Sequence, residues 1–190
     1  MNQNLSQFIA QNHGKPVVAI QGLGFVGAVM SVVCANAIEG EYAVIGVDRD
    51  TPLIRSRIDA FNKGIFPIVA DDPKIYQYFK NAKEKGNIFA TCDNQAYSYA
   101  DVIIIDVNLD VSKQLGPYGE LQNYSVDLSS FIDAIRIIGE NCKPNALILV
   151  ETTVPPGTCQ KVVLPTIQSI LKMRGLPTDQ IKIGHSYERV

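Results

Sequence analysis

No stretch of this chain approaches the roughly 20 apolar residues that a bilayer-crossing helix needs. Its start, MNQNLSQFIAQNHGK, has neither a basic nor an apolar leader region, so neither a membrane partner nor export is expected. No run of Lys or Arg is dense enough to track phosphates along a polynucleotide, and the formal net charge is -2 with a pI near 5.7, so nucleic acid is not an expected partner either. The four cysteines, Cys34, Cys92, Cys142 and Cys159, form no Cys-x-x-Cys pair and sit near no histidine cluster. That pattern suggests neither a zinc site nor a disulfide framework, and reduced, buried thiols in a cytoplasmic protein are the expectation. Internal repeats, low-complexity tracts and linkers are also missing, which points to a single domain.

What is present is enough for one buried core: 190 residues, 46% of them hydrophobic. After a polar leader (residues 1–15) with a short helical pattern at Leu5, Phe8 and Ile9, apolar runs too short for buried helices alternate with amphipathic stretches. Strands are predicted at Val17 to Ile20, Ala43 to Val47, Ile88 to Thr91, Val102 to Val107, Ala146 to Val150 and Ile181 to Ile183. Helices are predicted near Phe25 to Ile38, Leu53 to Phe61, Pro73 to Lys85, Val126 to Gly139 and Thr158 to Arg174, with a long polar loop from Asn108 to Tyr124. Strands separated by helices at this spacing predict an α/β, doubly wound Rossmann fold over residues 16–190. Its six-stranded, mostly parallel sheet has the expected order 3-2-1-4-5-6.

Between the first strand and the first helix stands Gly22-Leu23-Gly24-Phe25-Val26-Gly27, the context that turns a common glycine pattern into a dinucleotide fingerprint. Gly22 permits the tight turn, Gly24 lets backbone approach a pyrophosphate, and Gly27 allows close helix-to-strand contact. Leu23, Phe25 and Val26 complete the candidate phosphate loop. Asp48 ends the second strand 21 positions after Gly27, where a carboxylate accepts bonds from the adenosine ribose and repels a 2′-phosphate. The expected cofactor is therefore NAD, with Arg49 beside Asp48 softening the preference. A helix N-cap ahead of Thr51-Pro52 is the other role open to Asp48, and the two are compatible.

With V-A-I-Q-G-L-G-F-V-G, A-D-V-I-I-I-D-V, E-T-T-V-P-P-G-T and S-Y-E-R-V in place, the chain from about Pro16 to Val190 resembles the UDP-glucose/GDP-mannose dehydrogenase family. The most specific match is Thr153-Val154-Pro155-Pro156-Gly157 after the fifth strand, which is similar to the family's Ser-Thr-Val-Pro-Pro-Gly. The resemblance implies an NAD-dependent oxidation of a nucleotide sugar, its C6 alcohol becoming a carboxylate with two NAD molecules used in succession. It also implies a homo-oligomer at full length, and a catalytic cysteine with Lys and Asn partners in later domains that this stretch does not contain. Carried over position by position, it makes Thr153 and Glu188 the candidate catalytic residues. Thr153 helps hold a water near the reacting carbon, and Glu188 serves base chemistry in the hydrolytic half. Thr152, Val107 and Asn108 join the candidate cofactor contacts, and no metal is expected. The competing reading of the threonines is an N-cap cluster in which Thr158 is the cap, and Glu188 on its own reads as a solvated acid.

The chain departs from the family pattern in three places. Val107-Asn108-Leu109-Asp110 stands where the family reads Val-Pro-Thr-Pro, Tyr187 replaces a proline, and Leu53 stands where an Arg is common. Two further readings compete with the first: a 6-phosphogluconate or 3-hydroxyacid dehydrogenase type, and a stand-alone NAD-sensing module.

Overall fold

The computed structural model describes residues 3–109 and 111–186. Six strands form one parallel sheet: β1 (Val17–Gln21), β2 (Ala43–Val47), β3 (Ile88–Thr91), β4 (Val102–Ile105), β7 (Leu147–Val150) and β8 (Lys182–His185), in the order β3-β2-β1-β4-β7-β8. This is the expected doubly wound order, with two further strands, β5 (Val111–Leu115) and β6 (Leu121–Val126), outside the sheet. Helices cover both faces, which is why every residue of β1 and β2 is buried and their sequences are apolar but for Gln21 at the end of β1. On one face Ala19, Ile45, Ile103, Ile105, Ile148 and Val150 form a core with α1 (Gln3–Gln11), α5 (Ala96–Tyr99), α6 (Ser129–Asn141) and α7 (Leu164–Met173). On the other, Val18, Ile20, Val44 and Ile104 pack with α2 (Phe25–Ala35), α3 (Pro52–Asn62) and α4 (Pro73–Lys85).

Local chemistry explains most element ends. Thr51 caps α3, its Oγ1 accepting from Ile54 N at 3.3 Å, and Asp72 caps α4 by accepting from Lys74 N at 2.9 Å; each is followed by a proline whose missing N–H costs nothing there. Asp48 is therefore not a helix cap. Gly86, at φ +66°, closes α4 in the left-handed conformation. The polar leader is part of the body: Leu5 and Phe8 of α1 are buried, and the Phe8 ring stacks on Phe89 at 5.4 Å.

Several elements differ from the sequence expectation. The predicted polar loop after β4 holds an antiparallel ribbon, β5 (Val111–Leu115) with β6 (Leu121–Val126), closed by a turn at Gly116 to Glu120. Its residues are exposed on nearly every position, so the polarity that suggested a loop reflects a ribbon standing off the body. β4 stops at Ile105 because its partner β1 stops at Gln21. α2 ends at Ala35, where Asn36 turns its amide back onto Val32 O, leaving Ile38 fully exposed. The last helix begins with a π-helical turn, Cys159–Val163, ahead of α7, since Pro165 cannot donate into the preceding turn and crowds it. All four cysteines are free, but only Cys142 is buried; Cys34, Cys92 and Cys159 are half-buried. Desolvation raises each thiol, Cys34 up to about 11 with help from the charge of Glu151, so none is a poised nucleophile.

Candidate functional site

The carboxyl ends of β1, β2 and β4 open onto a cleft of about 360 Å³, walled on the far side by α6. The three fingerprint glycines meet different constraints there. Gly22 adopts φ +96°, and a Cβ on it would overlap the carbonyl oxygen of Asp106 at the end of β4. On Gly27 a Cβ would overlap the Gly22 carbonyl oxygen, so the helix reaches the loop only because position 27 is bare. Gly24 faces open space: nothing lies within 4 Å of the Cβ position. A side chain at 22 or 27 would collide with protein, whereas one at 24 would fill the space in front of the α2 N-terminus. The first intrahelical bond of α2 runs from Ala28 N to Gly24 O at 3.1 Å, so the amides ahead of it point into that space with the positive end of the helix dipole. Such an amide-lined helix end attracts phosphate groups.

Asp48 stands at the end of β2 and accepts two backbone bonds, from Leu23 N to Oδ2 at 2.9 Å and from Arg49 N to Oδ1 at 2.7 Å. The first ties the phosphate loop to β2. Each carboxylate oxygen keeps a second lone pair for a ligand hydroxyl. Gly46, one turn of pleat earlier, leaves room for the Leu23 side chain that closes the base of the cleft.

Beneath the cleft floor, Gln21 Oε1 accepts a bond from Tyr97 Oη. Tyr97 is fully buried and its hydroxyl is pushed well above the ordinary phenol range by desolvation, with the Asp48 charge adding to it. It stays protonated and donates, fixing the end of β1.

The opposite wall depends on Thr152. Buried just past β7, its Oγ1 accepts from Val107 N at 2.9 Å and lies within bonding distance of the Val107 carbonyl at 3.1 Å and that of Ile105 at 3.3 Å. It therefore acts on the cleft by holding Val107, which lines it next to Asn108. Thr158 donates to Pro155 O at 2.7 Å and makes no side-chain cap bond, so the proposed N-cap cluster is not formed. That bond instead closes the Pro155-Pro156-Gly157 turn.

Of the residues singled out in the sequence, Gly22, Leu23, Gly24, Asp48, Arg49, Val107 and Asn108 come together around one cleft. Phe25, half exposed, and Val26 and Gly27 lie in the first turn of α2 without lining it. Thr153 is exposed at the β7 end, and Glu188 lies outside the described residues. Sequence reasoning missed Ile54 and Arg57 of α3, Asp106, and the α6 residues Ser130, Asp133 and Ile137 that complete the walls. The i, i+3 spacing of Ile54 and Arg57 was the available signal for α3. For α6 there was none, because only the crossover brings that helix to the cleft. Among the described residues no group of His, Cys, Asp or Glu is arranged to hold a metal, and no helix is long and apolar enough to cross a membrane.

Residues 17–190 match the family described as the UDP-glucose/GDP-mannose dehydrogenase family, NAD binding domain. The chain is 31% identical over 155 residues to a UDP-glucose 6-dehydrogenase of Rickettsia conorii, covering 81% of this chain and 31% of that protein. It is likewise 31% identical over 156 residues to a GDP-mannose 6-dehydrogenase of Pseudomonas aeruginosa, covering 80% and 31%. The chain thus spans about a third of the length of these relatives. Among solved structures, an NDP-N-acetyl-D-galactosaminuronic acid dehydrogenase of Methanosarcina mazei superimposes with a TM-score of 0.77 over 98% of this chain and 37% of that one. At 22% identity, that likeness bears on the fold alone.

Proposed function

The chain belongs to the UDP-glucose/GDP-mannose dehydrogenase family, as its NAD binding domain, and from that premise we propose that it serves the four-electron oxidation of a nucleotide sugar. In this reading the sugar's C6 alcohol becomes a carboxylate and two NAD molecules are used in succession. The observation that carries it is the pairing, at the carboxyl edge of one sheet, of the open space before Gly24 and Asp48 with the Thr153-Val154-Pro155-Pro156-Gly157 exit from β7.

The α2 amides and Gly24 take the pyrophosphate, and Asp48 takes the adenosine ribose hydroxyls. Val107, held by Thr152, and Asn108 border the nicotinamide half. When bound, NAD accepts the hydride. Thr153 orients water beside the reacting carbon and Glu188 draws its proton in the hydrolytic half. The substrate residues and the nucleophile belong to other parts of the polypeptide that carries this domain, which works in the cytoplasm as a homo-oligomer.

The test is an assay of that polypeptide against a panel of UDP- and GDP-sugars, following NADH. Two NADH per sugar oxidised is the expected result, and one NADH with release of an aldehyde would overturn it. Glu188→Gln should slow the hydrolytic half by a factor of about 10² to 10⁴ while leaving NAD affinity near its original value.

A further inference from the structure

Gln21 is the polar exception in an otherwise apolar β1, 8% exposed and part of the cleft lining. Its amide is anchored at one end only. Tyr97 is fully buried, and a hydroxyl sealed from water without an acceptor is costly, so Tyr97 donates to Gln21 Oε1 and holds that oxygen on the inner side. Nε2 is left with no hydrogen bond to any described residue, yet it is not sealed from solvent. Its two N–H donors therefore open on the cleft. For stability alone, Leu and Phe at the two positions would fill similar space with no polar group to satisfy. The bond to Tyr97 matters because it decides which end of the amide faces out.

Asp48 fronts the same corner. Gln21 is the register partner of Val47, one residue before Asp48. The Tyr97 hydroxyl, raised first by burial, is raised further by the charge of Asp48, so the group that holds Gln21 lies within electrostatic reach of that carboxylate. The carboxylate is itself fixed by Leu23 N at 2.9 Å and Arg49 N at 2.7 Å. A carboxylate can only accept, and an amide N–H can only donate. A ribose hydroxyl does both: its proton goes to the first and its lone pair to the second, a need that a carboxylate alone leaves unmet.

Resting on the cofactor reading above, we infer that Gln21 is a second ribose-binding residue, its Nε2 donating to an adenosine ribose hydroxyl that gives its proton to Asp48. Tyr97 is the positioning residue that keeps the amide turned outward.

The experiment is titration calorimetry, with thermal melts, of the 190-residue chain against NAD and against NAD analogues carrying 2′-deoxy- or 3′-deoxyadenosine. NAD binding by the unaltered chain checks the cofactor reading by itself, and its absence would overturn that reading and this one together. Gln21→Leu should weaken NAD about three- to tenfold, the worth of a neutral hydrogen bond, and lower the Tm because the Tyr97 hydroxyl loses its acceptor. Against one of the deoxy analogues the same substitution should cost nothing further. Tyr97→Phe alone should weaken NAD by a smaller factor, as the amide loses its fixed orientation. In the Gln21→Leu, Tyr97→Phe double variant both polar partners are gone, so the Tm should return toward the parent's while NAD stays weak. NAD affinity that recovers together with the Tm would make Gln21 a purely structural residue and overturn the inference, as would a Gln21→Leu loss of equal size against NAD and both analogues.

Discussion

The two walls of the cleft are built on opposite plans. The phosphate-loop wall is local: six consecutive residues turn from β1 into α2, and its tolerances are set by missing side chains at Gly22 and Gly27. The wall at Val107 is held from a distance, through the hydroxyl of Thr152, 45 residues further along the chain. The first wall fails when something is added, the second when something is removed. A local loop of glycines is therefore readable as a motif, whereas a strut between two crossovers looks in the sequence like any threonine.

Substitutions can separate these plans. The largest effect is expected for Gly27→Val, whose side chain would drive α2 off the Gly22 carbonyl. Urea unfolding should show a loss of about 3 kcal/mol, and NAD binding should go with it. Gly24→Val sharpens the contrast within the same motif. With open space at its Cβ and ordinary backbone angles, stability should stay within about 0.5 kcal/mol of the parent while calorimetry finds no NAD binding. Loss of stability comparable to that of Gly27→Val would erase the distinction between the two glycines.

On the second wall, Thr152→Val keeps the shape but leaves Val107 N without its acceptor. A destabilisation of about 1 to 3 kcal/mol should accompany faster hydrogen exchange at Val107. If exchange there did not change, the wall would not depend on that hydroxyl.

The smallest effect concerns a tie between the two halves. Asp101, just before β4, accepts from Val17 N at 2.9 Å and from Lys143 Nζ at 2.7 Å. Partial burial works against its charge, but the Lys143 and Val17 bonds outweigh that and hold the carboxyl below its ordinary value. A depressed acid contributes stability that is present above its unfolded pKa of about 3.9 and is lost as pH falls through the folded one. Lys143→Met should thus cost at most about 1 kcal/mol at neutral pH, because the pair is half-exposed and screened. The variant should also lose less stability than the parent between roughly pH 4 and pH 2. Parallel acid-unfolding curves for the two proteins would count against this tie.

Much of the fold was legible because its signals are local. Apolar runs of four or five residues, Pro after a capping Thr51 or Asp72, and Gly86 after α4 set strands and helices with little help from elsewhere. The β5–β6 ribbon escaped because its alternation of Val111, Lys113 and Leu115 with Ser112 and Gln114 is weak and its residues are polar enough to pass for loop. The π-helical turn before α7 escaped for a different reason: Pro165 marks a break, but the spacing of side chains does not say how the backbone absorbs it.

By itself the sequence determined the strand order, the phosphate loop and the acid at the end of β2, since each follows from backbone stereochemistry and periodicity over a few residues. The tertiary structure alone decided which residues face the cofactor cleft and which only support it. Thr152 was turned inward to hold Val107, Arg57 was brought to the cleft that Asp48 lines, and α6 was laid along its far wall. Those outcomes depend on crossovers that join positions tens of residues apart, where close packing and hydrogen-bond pairing are settled only once the sheet has formed.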